Sequence, residues 1–290
     1  MKALIEYIEF CRSVRKLSPK TVAEYDRALK YLSTKIDILG VGNGLAIDEK
    51  LTELSRSENW SDAYVYRFTR ILKKFYEWAH YKGHVKENPY VYSSIRRPRG
   101  TEPHYLTQEE FDFILDHRTH LTHQDLTLVS LLWDSGIRRE EASLLNRRPV
   151  EKDLEDSVIH ITSEASKGGY SGRFVPVSDR TRSLILDHIK MTENHTAESL
   201  FLSPDFSRMM PNDISKRMTR IAKVVPFPKQ TKTHPHAFRH SLAIRLIEAG
   251  AGDLEVMKIL GHSSLEMTTI YTHMSRINAK NTASKYLQTA

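Results

Sequence analysis

The 290-residue sequence contains a single cysteine, Cys11. That excludes a disulfide framework and any cysteine-based metal cage. No run of about 18 apolar residues occurs, so no membrane span is expected. A glycine-rich phosphate loop of the P-loop type is also missing, which argues against an ATPase. The opening stretch, MKALIEYIEFCRSVRK, is too acidic and too amphipathic for a signal peptide. A reducing, cytoplasmic setting is therefore the expectation. Disorder is not expected either: 40% apolar and 9% aromatic residues suffice for real cores.

Excess positive charge is absent from most of the chain. The net charge is +7, and residues 1–99 carry all of it, whereas residues 100–290 are neutral overall. A basic first third beside a neutral remainder fits nucleic-acid binding through the former, although a solvated basic surface would look the same.

What is present reads as mainly helical, with a small antiparallel sheet, an α+β chain of two domains. Residues 1–95 form a helical domain, 96–103 a linker and 104–290 a second domain. Ser18-Pro19 is a strong helix start, followed by Val22, Tyr25, Leu29 and Leu32 at helical spacing. The stretch GVGNGLAIDEK reads as a glycine-rich loop. A second helix begins at about Ser61, with Tyr64, Phe68, Ile71, Leu72, Phe75 and Ala79 as its apolar stripe. Arg67, Arg70 and Lys74 share another face, either a backbone-phosphate stripe or an ordinary polar face. Arg96, Arg97 and Arg99 cluster in the proline-rich linker, a further candidate for lying along DNA. Thr107 to Glu110 is a capping box that opens the second domain. SVIHITSEASKGGYSGRFVPVS alternates and turns at its glycines, as a β-hairpin would.

Four clusters of the second domain can carry chemistry: Arg138 in DSGIRREEASLL, Lys167 in SKGGYSGRFVPV, His236 and Arg239 in HPHAFRHSLA, and His262 with Tyr271 in LGHSSLEMTTIYTHMS. His262 and Tyr271 would point to opposite faces of one helix. Gly261 and the capping box Ser263 to Glu266 supply a break and a restart between them. Taken alone, that pair reads as a surface or cap histidine and a core aromatic.

His236 and His240 invite a metal reading, but the position of a zincin general base holds Ala237. Arg239 between them would also repel a cation. No metal and no cofactor are expected.

Two arginines, a lysine, two histidines and a tyrosine suit a phosphodiester. Arginine forks match phosphate oxygens and stabilise the charge that builds on them. A tyrosine phenol can be the nucleophile. Ionising it at neutral pH costs about 4 kcal/mol, which the arginines and a histidine could offset. Lys167 could protonate the departing 5′-oxygen.

In this order the four motifs resemble those of the tyrosine recombinases, the phage integrase family. LSPKTVAEYDRAL and LKKFYEWAHYKGHVKENP look like the family's helical core-binding domain. SGIRREEASLL looks like its first arginine motif, HPHAFRHSLA matches H-x-x-R-H, and LGHSSLEMTTIYTH matches its histidine-to-tyrosine ending.

The resemblance implies that Arg138 and Arg239 clamp the phosphate and that Lys167 is the general acid. His236 assists proton transfer or holds the phosphate, His262 contacts it, and Tyr271 is the nucleophile. Glu141 would buttress Arg138, and His240 would pack or orient its neighbours.

The segment from Lys167 to RFVPV is one residue longer than the commonest family spacing. Arg139 stands where a small or apolar residue is more usual. The chain starts at the core-binding region, as in Xer-like enzymes or compact mobile-element integrases without an arm-binding domain.

The resemblance further implies a two-domain clamp on double-stranded DNA with inverted-repeat core sites, a nucleoid location and a homotetramer on paired sites. It leaves room for a second recombinase or an accessory factor. Met274, Ile277 and Leu287 could anchor a C-terminal tail on a neighbouring protomer. The rival readings are a type IB topoisomerase and a DNA-binding protein without chemistry.

Overall fold

A computed structural model describes residues 2–40, 43–98, 103–162, 172–229 and 231–261. The chain divides into two compact units, Met1–Thr101 and Glu102–Ala290, each with its own core. Among the described residues, no helix is long and apolar enough to cross a membrane.

Four helices build the first unit: α1 (Lys2–Ser13), α2 (Pro19–Lys35), α3 (Gly44–Ser57) and α4 (Asp62–Tyr81). Ser18 caps α2 by accepting from the Thr21 amide, with Pro19 in the first turn, as the sequence signalled. Val22, Leu29 and Leu32 are buried, and Tyr25 is half-buried against the Tyr7 ring. Phe68, Ile71, Leu72, Phe75 and Ala79 form the buried stripe of α4. Tyr64 departs from the expected stripe. It is 40% exposed, because it stands in the first turn, edge-on to Trp60 and Phe68 and with the Arg67 guanidinium over its ring.

The stretch read as a glycine-rich loop is mostly helix. Asn43 caps α3 by accepting from the Ala46 amide at 3.0 Å, and Gly44 opens the helix. Gly44 is needed for closeness: a Cβ there would sit 2.5 Å from the Tyr92 carbonyl oxygen and 3.0 Å from that of Pro89. Gly44 therefore marks a tight docking rather than a long loop. Further along α3, the buried Asp48 carboxylate accepts from Tyr90 Oη, Ser93 Oγ, and the Ser94 amide and hydroxyl. These bonds fasten residues 90–94 to α3.

In the second unit α5 (Gln108–Asp116) starts at the Thr107/Glu110 capping box. It is followed by α6 (His123–Ser135), α7 (Arg139–Leu144) and α8 (Arg147–Asp153). No helix was expected at α8; Pro149 stands in its first turn, where a proline gives up an N–H that has no helical partner anyway. The strands β1 (Val158–Ile161) and β2 (Arg173–Pro176) pair antiparallel, with Ile161 opposite Arg173 and Val158 opposite Pro176.

Then come α9 (Asp179–Thr192), α10 (Pro211–Val224), α11 (Pro235–Glu248) and α12 (Asp253–Leu260). The apolar α6 is covered by α9 and α11, and α12 lies against α11 and β2. The end of α12 is thereby brought to the start of α7 and to β2, and this placement creates the site. The described part of the protein is thus mainly helical with one small antiparallel sheet.

Candidate active site

The last turn of α12 organises the site. Gly261 ends the helix in the left-handed region, φ +65°, where a side chain is strained. The terminal carbonyls of a helix lack intrahelical partners and carry partial negative charge. Here three successive carbonyls are taken by three arginines from three different elements. Arg173, the first residue of β2, donates Nε to Ile259 O at 3.0 Å. Arg239 of α11 donates Nη2 to Leu260 O at 2.5 Å, and Nη1 to Gly136 O at 2.9 Å. Arg138, immediately before α7, donates Nη2 to Gly261 O at 2.8 Å.

Glu141 offsets part of this concentration of positive charge, at Arg138 and Arg173. Its side chain has no exposed surface, against 15% for Arg138 and 11% for Arg173. Its carboxylate accepts from Arg138 Nη1 at 2.9 Å, and from Arg173 Nη1 and Nη2 at 3.0 and 2.8 Å. It also accepts from the Arg138 amide at 2.8 Å, which caps α7. Burial pushes the carboxyl up, but the two guanidiniums outweigh it and hold the group below the usual carboxylate range. Glu141 is therefore ionised, and its link to Arg138 is direct.

His236 stands on the exposed side of α11, three residues before Arg239. Desolvation by the surrounding protein, then Arg239, with smaller pushes from Arg139 and Arg138, hold its imidazole below the ordinary histidine value against the opposing pull of Glu140. The ring is thus neutral at pH 7, a state in which it can accept a proton. His240, one turn further, has its ring 6.4 Å from that of His236. Burial first, then His236 and His234, push it down to about 4. His234 caps α11, its Nδ1 accepting from the Ala237 amide at 3.0 Å. Arg139 ties α7 to α10: its Nη1 donates to Ser215 Oγ at 2.8 Å, and its Nε to Glu140.

The structure brings together Arg138, Arg239 and His236. Lys167, His262 and Tyr271 lie outside the described residues, as do Arg99 and the tail residues Met274, Ile277 and Leu287. Sequence reasoning missed Arg173. The available signal was strand alternation, which puts Arg173 on the same side of β2 as the buried Val175 while Phe174 between them is exposed.

The candidate DNA-contacting residues of α4 are exposed, but two carry partners. Arg67 Nε donates to Glu24 at 2.7 Å, and Lys74 Nζ to Glu77 at 3.0 Å. Arg96 and Arg97 are exposed beyond the Asp48 anchor. Among the described residues, no group of three or more His, Cys, Asp or Glu side chains could hold a metal.

Known proteins resemble this chain along its length. It is 27% identical over 282 residues to tyrosine recombinase XerC of Actinobacillus succinogenes, covering 94% of this chain and 92% of that protein. XerC of Oceanobacillus iheyensis is 28% identical, with 93% and 90% covered. Among solved structures, the Tn1549 transposon integrase in complex with transposon right end DNA superposes with a TM-score of 0.79 at 18% identity, covering 98% and 99% of the chains. XerH site-specific recombinase bound to palindromic difH substrate gives 0.74 at 20% identity, covering 96% and 83%. These two show that the fold is shared. The phage integrase family profile matches residues 104–276, the segment that contains both arginine motifs and the site around α12, and the chain belongs to that family.

Proposed function

We propose that this protein is a tyrosine-type site-specific recombinase that cuts and rejoins double-stranded DNA. The observation that carries the reading is the convergence of Arg138 and Arg239 on adjacent carbonyls, Gly261 and Leu260, directly before His262 in the chain. Two anchored guanidiniums at one point form a preorganised clamp for the non-bridging oxygens of a phosphodiester.

In the reaction, Tyr271 Oη attacks phosphorus and the bond to the 5′-oxygen breaks. Lys167 gives that oxygen its proton, and the neutral His236 accepts the phenol proton or holds the phosphate. His262 contacts the phosphate. One phosphodiester replaces another, so the strand can be rejoined without ATP. Arg138 and Arg239 supply electrostatic stabilisation worth roughly 2.7–4 kcal/mol per donor. The DNA carries inverted-repeat core sites, and four protomers assemble on two of them.

Covalent capture tests this. The protein is mixed with fragmented DNA from its source and denatured in detergent, and the attached DNA is sequenced, with Tyr271→Phe as control. One enriched sequence with inverted-repeat arms, lost in the control, is the expected result. Scattered covalent ends would indicate a topoisomerase. No covalent DNA from the wild type, with DNA binding retained, would indicate a binding protein.

A further inference from the structure

We infer that Arg173 is a positioning residue of the recombination site, setting Arg138 and the end of α12 at once through Glu141 and the Ile259 carbonyl. The inference rests on the recombinase reading for its consequence, but its geometry stands apart from it.

Arg173 uses its three nitrogens in two directions. Nη1 and Nη2 grip both oxygens of Glu141, and Nε reaches Ile259 O. Glu141 in turn fixes the guanidinium and the amide of Arg138. A lysine cannot reproduce this, because a point charge cannot fork onto a carboxylate while donating sideways to a carbonyl.

The fit at Gly261 is equally close. A Cβ there would lie 2.9 Å from Arg173 Nη1 and 3.0 Å from its Cζ. Arg173 is therefore wedged between the carboxylate that holds Arg138 and the helix end that leads into His262. It is also the first residue of β2, opposite Ile161 at the end of β1, so it stands where the strand pairing begins. One side chain thus ties the start of β2 to the carboxylate that holds Arg138 and to the last turn of α12. It touches no reacting atom: Arg138 does that, and Arg173 holds Arg138 in place.

The test uses the full chain with 15N-labelled arginine, comparing wild type, Arg173→Lys, Glu141→Gln and the double variant. Arg217→Lys is the control for the loss of a different partly buried arginine. The Nε–H signal of Arg138, assigned by its loss in Arg138→Lys, reports the positioning without any DNA. It should shift in Arg173→Lys and exchange with solvent at least about tenfold faster, but stay put in Arg217→Lys.

Single-turnover formation of covalent DNA should fall about 100-fold in Arg173→Lys, the cost of a misplaced catalytic group, while affinity for random-sequence duplex DNA is retained. The double variant should be no slower than Glu141→Gln alone. An unmoved Arg138 signal would overturn the inference, as would wild-type cleavage in Arg173→Lys. If the wild type forms no covalent DNA, the recombinase reading fails, and the Arg138 signal still decides whether Arg173 positions it.

Discussion

Arg138 is bound to Glu141 twice, through its backbone amide at 2.8 Å and its Nη1 at 2.9 Å. A fully buried carboxylate held by two guanidiniums is costly to disrupt from one side. Removing it in Glu141→Ala leaves two partly buried cations unpaired, and a loss of about 3–5 kcal/mol in unfolding free energy is expected. Glu141→Gln keeps the volume and one acceptor, so its loss should be smaller while its effect on cleavage stays large. Denaturant midpoints beside single-turnover rates separate the two. A glutamine variant that cleaves like the wild type would show that Glu141 serves stability alone.

Gly261 combines a left-handed backbone with contact against Arg173. Gly261→Ala should cost about 1–2 kcal/mol from the backbone alone. Displacement of Arg173 adds to that, and covalent DNA formation should drop with it. Thermal melting gives the first quantity and covalent capture the second. Unchanged melting would mean that the helix end relaxes without strain.

Buried His188 and half-buried His240 predict acid sensitivity. His188 donates Nε2 to Leu200 O, and burial pushes it down to about 4; His240 is also pushed down to about 4. In the unfolded chain both take up a proton near the ordinary value of about 6.5. Between those values the unfolded state binds more protons, so stability is complete above about 6.5 and declines as pH falls toward about 4. Urea midpoints should therefore drop between about pH 7 and 5, and His188→Gln should flatten part of the slope. A flat profile in the wild type would contradict the assignment.

Much of the architecture was legible because local signals agreed with the fold. The serine cap at Ser18, the Thr107/Glu110 box and the apolar stripe of α4 all mark elements at the right places. Arg138, His236 and Arg239 could be picked from their motifs. One element was hidden by a residue that usually breaks structure, Gly44 at the start of α3, which allows close backbone contact. Arg173 was hidden for another reason. Its partners, Glu141 and Ile259, are distant in sequence, and no spacing rule links a strand residue to a helix end.

Asp48 gives the chain after α4 its anchor. With four donors from Tyr90, Ser93 and Ser94 on a buried carboxylate, Asp48→Ala should release residues 90–98. Limited proteolysis reads this directly, with new cleavage expected between Tyr90 and Arg97. Unchanged protection would place the anchor elsewhere, in the Gly44 contact with Pro89 and Tyr92.

The arginines of the first unit separate by salt dependence. Each phosphate contact contributes about 0.9 to the slope of log affinity against log salt. Arg96 and Arg97 are exposed, so replacing both by alanine should lower the slope by roughly 1.8 if each meets a phosphate. Arg67 differs, because Glu24 already holds it at 2.7 Å. An exposed pair of this kind is worth only about 0–1 kcal/mol, so DNA can compete for the arginine, at a discount. Glu24→Gln removes the competitor and should tighten duplex binding at low salt. Glu53→Gln, which makes the same charge change beside Lys50 on α3, is the control for generic repulsion. Tighter binding in the first variant than in the second would assign Arg67 to the DNA face. Equal gains would leave its stripe an ordinary polar surface and move the basic contact to Arg96 and Arg97.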